Sequence, residues 1–166
     1  MLLEDALRGV AIVSRYEGAI IDVGSGGGTP GIPLAVTLPE REVTLLESER
    51  RKTEFLEQWA EELPNLRVVW GRAEEQGVGD FGVAVAKALA EPVVAAEWTL
   101  PLVRVGGAVV LWVGPSAERD RVARVAEKLA AELVDAPPGF LVLQRRGELP
   151  AGFPRRTGIA KKRPLA

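Results

Sequence analysis

The segment 22–31, with the sequence DVGSGGGTPG, limits what this chain can fold into more than any other. The apolar residues 19–21 before it predict a short buried strand, and residues 32–36 after it predict the start of a helix. A strand that turns into a helix through glycines leaves backbone N–H groups unobstructed beside a ligand. The segment therefore indicates a nucleotide-type cofactor site, with Thr29 predicted to cap the helix and Pro30 to occupy its first position.

Two cofactors are compatible with the glycine pattern. Gly26-x-Gly28-x-x-Gly31 matches the dinucleotide fingerprint and leaves an NAD-dependent oxidoreductase open. Asp-Val-Gly-x-Gly-x-Gly, which starts at Gly24 directly after the strand, is the form found in S-adenosylmethionine (SAM) methyltransferases, where the Asp lies near the methionyl end of the cofactor. We favour SAM, and the candidate cofactor contacts in the loop are Gly24, Ser25, Gly26 and Thr29.

An acidic residue follows the glycine segment at the spacing that a ribose contact requires. Residues 41–46 predict a second strand, and Glu47 stands at its end. An acid about 20 residues beyond such a loop accepts hydrogen bonds from ribose hydroxyls. Glu47 could instead be an N-terminal charge of the helix predicted over 50–63, but its position favours the ribose role.

Strands and helices alternate along the rest of the chain, which predicts an α/β fold. Further strands are predicted over 65–70, 81–86, 108–113, 133–135 and 140–144, with helices over 91–102 and 117–133. The pattern predicts a single domain over 1–166, with a Rossmann-like, doubly wound, mostly parallel sheet and a C-terminal antiparallel hairpin. Because the carboxyl ends of parallel strands meet at one edge, Gly24, Glu47, residues 72–74 and Lys87 are predicted to share one site.

Composition excludes several kinds of protein. The 166 residues contain no Cys and no His, which rules out disulfides, thiolate metal sites and hydrolases built on a His dyad. No apolar run approaches the 18 residues that would suggest a membrane span, and the acidic start MLLED is unlike a secretory leader. We therefore expect a cytoplasmic enzyme without a metal site or a membrane partner.

The charge distribution is uneven. The net charge is −2, which is poor for a nonspecific nucleic-acid binder, but the tail 154–166 is basic. A solvated terminus would show the same pattern, but a strip that contacts RNA phosphates near the site is favoured. The candidate RNA-binding residues are Arg155, Arg156, Lys161, Lys162 and Arg163.

Four segments together resemble one family. They are DVGSGGGTPGIP at 22–33, GRAEE at 71–75, AKA at 86–88 and PRRTGIAKKRPL at 154–165. In this order they are similar to the glucose-inhibited division protein B family, the ribosomal RNA small subunit methyltransferase G enzymes, and the resemblance covers roughly residue 3 to the C-terminus. It implies methylation of guanine N7 in small-subunit ribosomal RNA with SAM, and the small ribosomal subunit or its RNA as partner.

The resemblance also implies roles for single residues. Gly24 and Thr29 would touch the cofactor, Glu47 would hold its ribose, Ala73 and Glu74 would flank its adenine, and Lys87 would lie beside the cofactor and face the substrate. Lys87 is thus the candidate catalytic residue, at a position where the family commonly has Arg, whose planar fork a Lys lacks.

The front of the chain departs from the family pattern. Only about 18 residues precede the first predicted strand, so most of the family's N-terminal helical region is expected to be missing. A methyltransferase with another substrate and a noncatalytic SAM-binding module remain the alternatives.

Overall fold

One sheet forms the centre of the computed structural model, which describes residues 2–166, with side chains from residue 4 onward. Residue 1, at the acidic start discussed above, lies outside the described residues. The strands are β1 (Ile20–Val23), β2 (Val43–Glu47), β3 (Leu66–Trp70), β4 (Phe81–Lys87), β5 (Val103–Trp112), β6 (Ala131–Asp135) and β7 (Phe140–Arg145). They lie in the order β3-β2-β1-β4-β5-β7-β6.

The direction of β7 distinguishes this sheet from a dinucleotide-binding one. Strands β1 to β5 pair in parallel, whereas β7 lies between β5 and β6 and is antiparallel to both. The predicted mostly parallel sheet with a C-terminal antiparallel hairpin is confirmed. The dinucleotide-binding fold has the order 3-2-1-4-5-6 without such an inserted strand, which argues against the NAD alternative.

Helices cover both faces of the sheet. They are α1 (Leu2–Arg8), α2 (Val10–Val13), α3 (Gly31–Thr37), α4 (Arg50–Glu62), α5 (Pro92–Thr99), α6 (Arg119–Lys128) and α7 (Ile159–Lys162). Because side chains alternate along a strand, β4 supplies Ala84 and Ala86 to the core under α5 and α6, and Val83 and Val85 to the core under α2, α3 and α4. The sheet is therefore doubly wound, and its carboxyl edge is open between the helix layers.

The predicted start of α3 was wrong. The helix begins at Gly31, Pro30 is its N-cap residue, and no side chain caps it through a hydrogen bond. Instead, the buried carboxylate of Asp22 accepts the N–H of Gly31 at 2.9 Å. Thr29 is thus not a helix cap, because a strand residue satisfies the first turn.

Two other helices are shorter than predicted. The α6 helix ends at Lys128 rather than 133, because Ala130 takes a left-handed φ of 53° and the chain turns directly into β6. The α5 helix ends at Thr99 and continues as a 3₁₀ helix over Leu100–Leu102, which contains Pro101. Strand β5 therefore begins at Val103, five residues before the predicted start at 108, and includes Gly106 and Gly107.

Candidate functional site

A cavity of about 560 Å³, called the cofactor cavity below, opens at the carboxyl ends of β1 to β4. Its volume lies in the usual range for small-molecule sites. The structure brings all the predicted cofactor contacts together around it: Gly24, Ser25, Gly26, Thr29, Glu47, Ala73, Glu74 and Lys87. The predicted convergence of strand ends is therefore present in the fold.

The glycine loop presents bare backbone to this cavity. Gly24 and Gly26 have φ values of +71° and +54°, which residues with a Cβ rarely adopt. A Cβ at Gly24 would collide with Leu89, whereas one at Gly26 would meet no side chain, its nearest neighbour being a backbone oxygen at 3.9 Å. Buried Ser25 fixes the loop by donating its hydroxyl to the carbonyl of Asp22 at 2.9 Å. This leaves room for a ligand against the backbone.

Glu47 links the second strand to the loop. It is only 5% exposed, and its Oε2 accepts the N–H of Gly26 at 2.8 Å while its Oε1 accepts the N–H of Glu49 at 2.9 Å. A carboxylate has about four acceptor positions, so two remain for other donors. The arrangement orients Glu47 at the cavity wall with acceptor capacity for a pair of ribose hydroxyls.

Asp22 lies beneath the loop and is 1% exposed. Its Oδ2 accepts the Gly31 N–H, but its Oδ1 is buried and has no hydrogen-bond partner among the described residues. Burial raises the pKa of Asp22 from 3.8 to about 7, against the lowering effect of the hydrogen bond that its carboxylate accepts from the Gly31 N–H. Asp22 therefore supports the loop from below and changes charge near neutral pH.

The cavity is also lined by Ala73 and Glu74 of the 3₁₀ helix Ala73–Glu75, and by two residues that the sequence analysis did not connect with the cofactor. These are Trp98 of α5 and Lys161 of α7, whose ammonium lies 5.2 Å from the centre of the Trp98 ring. They are 63 positions apart in the chain, and no local motif joins them. The two residues come together only because the tail packs on α5.

A second cavity of about 610 Å³, called the acceptor cavity below, adjoins the first. Lys87 and Ala88 line both cavities, and the acceptor cavity is further bounded by Asp5 of α1, Trp112 of β5 and Phe140 of β7, among others. Lys87 Nζ lies 3.5 Å from Asp5 Oδ2, and the Trp112 indole N–H donates to the Asp5 carbonyl at 2.8 Å. Of these residues, only Lys87 was a sequence candidate.

The residues of the basic tail have different surroundings in the structure. Arg155 donates two hydrogen bonds of 2.6 Å to the buried carboxylate of Glu97. That hydrogen-bonded pair raises the pKa of Arg155. Arg156, Lys161, Lys162 and Arg163 are exposed, and among these four Lys161 alone lines the cofactor cavity. The five predicted RNA contacts thus occupy three different environments, with Lys161 at the cofactor cavity and Arg155 bound within the protein.

These observations fit a nucleoside-bearing amino acid such as SAM better than a metal. One cavity is lined by open glycine backbone, by a carboxylate suited to ribose and by residues of a 3₁₀ helix. Within residues 2–166, no group of three or more acidic side chains is placed to hold a metal ion. In the same part of the chain, no helix is long and apolar enough to cross a bilayer.

Sequence relatives agree with this site. The family model of rRNA small subunit methyltransferase G (GidB) matches residues 1–136. The chain is 36% identical to the ribosomal RNA small subunit methyltransferase G of Synechococcus elongatus, over 98% of this chain and 76% of that protein. It is 37% identical to the protein of the same name from Syntrophomonas wolfei, over 98% of this chain and 84% of that protein.

Solved structures share the fold at low sequence identity. M. jannaschii TYW2, solved in complex with AdoMet, matches with a TM-score of 0.68 and 17% identity over 86% of this chain and 72% of its own. The antibiotic-resistance methyltransferase Kmr matches with a TM-score of 0.66 and 14% identity over 86% of this chain and 93% of its own. The fold is that of SAM-dependent methyltransferases, and the chain belongs to the rRNA small subunit methyltransferase G family of such enzymes.

Proposed function

We propose that this protein transfers a methyl group from SAM to N7 of a guanine in small-subunit ribosomal RNA, in the bacterial cytoplasm. The observation that carries the proposal is the wall of Lys87 and Ala88 shared by the cofactor and acceptor cavities. A donor in one cavity and a base in the other would face each other across the end of β4. The family relationship supports the RNA substrate.

The cofactor cavity has a residue set suited to each part of SAM. The loop around Gly24 and Gly26 would hold the methionine portion against bare backbone, Glu47 would accept hydrogen bonds from the ribose, and Ala73 and Glu74 would flank the adenine. When bound there, SAM supplies an electrophilic methyl group on a sulfonium sulfur. Ser25 and Asp22 would keep the loop in place without touching the reacting atoms.

The reaction requires little from the protein beyond alignment. Guanine N7 carries a free lone pair, so no general base is needed, in agreement with a chain that has no His. Holding the nucleophile in line with the methyl group lowers the barrier by removing orientational freedom. Guanine presents O6 beside N7 as a second acceptor, and we assign Lys87 as the donor to O6, which would turn N7 toward the cofactor cavity.

RNA contact would come from exposed cations near the two cavities. We retain Arg156, Lys162 and Arg163 as phosphate contacts, because they are exposed in the basic tail and lie outside the residues that bound the cofactor cavity. We leave Arg155 out, because its guanidinium binds the Glu97 carboxylate and the Arg163 carbonyl. Small-subunit ribosomal RNA, either isolated or within the small ribosomal subunit, would present these phosphates.

The test is methyl transfer from labelled SAM to small-subunit RNA and to small subunits, with large-subunit RNA as the control. The modified base is located by borohydride reduction and aniline cleavage, which cut at 7-methylguanosine. Label at a guanine N7 of the small-subunit RNA is expected. Label on another base contradicts the proposed position, and SAM binding without transfer to any of these RNAs would indicate a noncatalytic module.

The phosphate contacts are tested separately through the salt dependence of RNA binding. Replacing Arg156, Lys162 or Arg163 by Gln should each lower the slope of log K against log salt by roughly 0.7 to 0.9. Arg67→Gln is the charge-matched control, because Arg67 lies near the amino end of β3, away from both cavities. Equal slopes for the tail variants and the wild type would remove the tail from the RNA interface.

A further inference from the structure

Residues 153–166, called the C-terminal segment below, are fastened to the body of the protein close to the cofactor cavity. Arg155 makes a two-pronged contact with Glu97 of α5, which is 4% exposed. Ala160 of α7 is 2% exposed and belongs to the core beside α5. An ion pair to a buried carboxylate and a core side chain hold the backbone of this segment in place, and Lys161 directly follows the core residue Ala160.

The same segment contacts the 3₁₀ helix that forms the proposed adenine end of the cavity. The N–H of Gly158 donates to Oε1 of Glu74 at 3.2 Å, and the hydroxyl of Thr157 donates to Oε1 of Glu75 at 3.1 Å. Glu74 lines the cavity and was predicted to flank adenine. The C-terminal segment therefore orients a residue of the proposed cofactor site.

Two adjacent lysines of α7 have different surroundings. Lys161 lines the cofactor cavity, with its ammonium 5.2 Å from the centre of the Trp98 ring, which also lines it. Both side chains are exposed, but Lys162 lies outside the residues that bound the cavity. A cation over an indole face is held by the ring's quadrupole, and it keeps donors free for a ligand. The cavity lining thus includes the Lys161 ammonium, three residues along the chain from the Gly158 N–H that holds Glu74.

We propose that Lys161 is a cofactor contact rather than an RNA contact, and that its ammonium donates a hydrogen bond to an acceptor nitrogen of the adenine. This inference rests on the proposed SAM site. It gives the two neighbouring lysines of the basic tail different roles, since Lys161 recognises the cofactor from the Trp98 face while Lys162 remains available to phosphate.

The experiment measures the binding of S-adenosylhomocysteine and of 5′-methylthioadenosine, which lacks the amino-acid end, by titration calorimetry. Lys161→Met keeps the length that covers Trp98 and removes the donor. It should weaken the binding of both ligands by the same factor, about five- to tenfold. Lys162→Met is the matched control and should leave both dissociation constants within about twofold of the wild type. Unchanged thermal unfolding of both variants shows that the fold is retained.

Each other outcome is decisive. Wild-type affinity of Lys161→Met for both ligands overturns the proposed contact. Loss of affinity for S-adenosylhomocysteine alone would place Lys161 at the amino-acid end and overturn the adenine assignment. If the wild-type protein bound neither ligand, the SAM site itself would be refuted. If it bound both and Lys161→Met bound both with unchanged affinity, only the present inference would fail.

Discussion

The buried carboxyl of Asp22 makes the stability of this protein dependent on pH in an unusual direction. Its pKa is about 7 in the fold, because burial disfavours the charge, and 3.8 in the absence of that environment. Between these values the folded state binds more protons than the unfolded state. The free energy of unfolding therefore falls as pH rises from about 4 to 7, and the loss is complete above pH 7.

The size of the effect follows from the two pKa values. Because Asp22 ionises more readily in the unfolded state, it lowers the free energy of unfolding by about 2 kcal/mol at pH 5 and about 4 kcal/mol at pH 8, relative to a carboxyl that stays neutral. Asp22→Asn removes the titration and keeps an oxygen to accept the Gly31 N–H. The free energy of unfolding of this variant, measured against the wild type, should therefore increase by about 2 to 3 kcal/mol between pH 5 and pH 8.

Guanidinium unfolding followed by tryptophan fluorescence at the two pH values gives this difference directly. Other titrating groups cancel, since wild type and variant share them. Asp120→Asn removes an exposed carboxylate of α6 and serves as the control, with a small effect at both pH values. A difference between Asp22→Asn and the wild type that is the same at pH 5 and pH 8 would refute the reasoning.

Three further predictions concern the site and its supports. Gly26→Leu should fold but lose S-adenosylhomocysteine binding in calorimetry, because its side chain would enter the cofactor cavity; wild-type affinity would contradict the backbone cradle. Lys87→Ala should lower kcat about 10- to 100-fold with a smaller change in SAM affinity, and Lys87→Arg should restore turnover; equal losses of affinity and kcat would place Lys87 only at the cofactor. Arg155→Ala should cost about 3 to 5 kcal/mol by leaving Glu97 buried without its cation, seen in denaturant unfolding and as early proteolysis of the C-terminal segment; an unchanged midpoint would speak against a stabilising pair.

The parts of the fold that depend on local sequence pattern could be predicted from the sequence. Glycines at 24 and 26 have the positive φ that their position after a strand requires, and Glu47 ends β2 as its spacing predicted. Helix ends were less predictable where a distant group decides them. The start of α3 depends on Asp22, nine positions earlier, and just after the end of α6 the carbonyl of Ala130 accepts the N–H groups of Arg146 and Gly147.

Long-range contacts were beyond sequence reasoning for a physical reason. The basic tail was treated as one strip, since its residues have the same charge. In the structure, however, Arg155 binds Glu97 and Lys161 lies over the ring of Trp98, and both partners belong to α5. Likewise, Trp112 and Asp5 both line the acceptor cavity and are hydrogen-bonded to each other, although they are 107 positions apart in the chain. Such partners meet only when the chain packs, and no periodicity in the sequence indicates which residues will meet.

The position of β7 between β5 and β6 has a consequence for the order of folding. Residues 136–139 connect β6 to β7, so the two strands can pair as a local hairpin. Strand β6 lies at the edge of the sheet and joins the parallel strands only through β7. A two-stranded hairpin is not stable alone in water, so this pair should join the parallel strands in a single step. In hydrogen exchange, the amides of β6 and β7 should therefore open together as one cooperative unit, separately from those of β1 and β4 at the centre of the sheet.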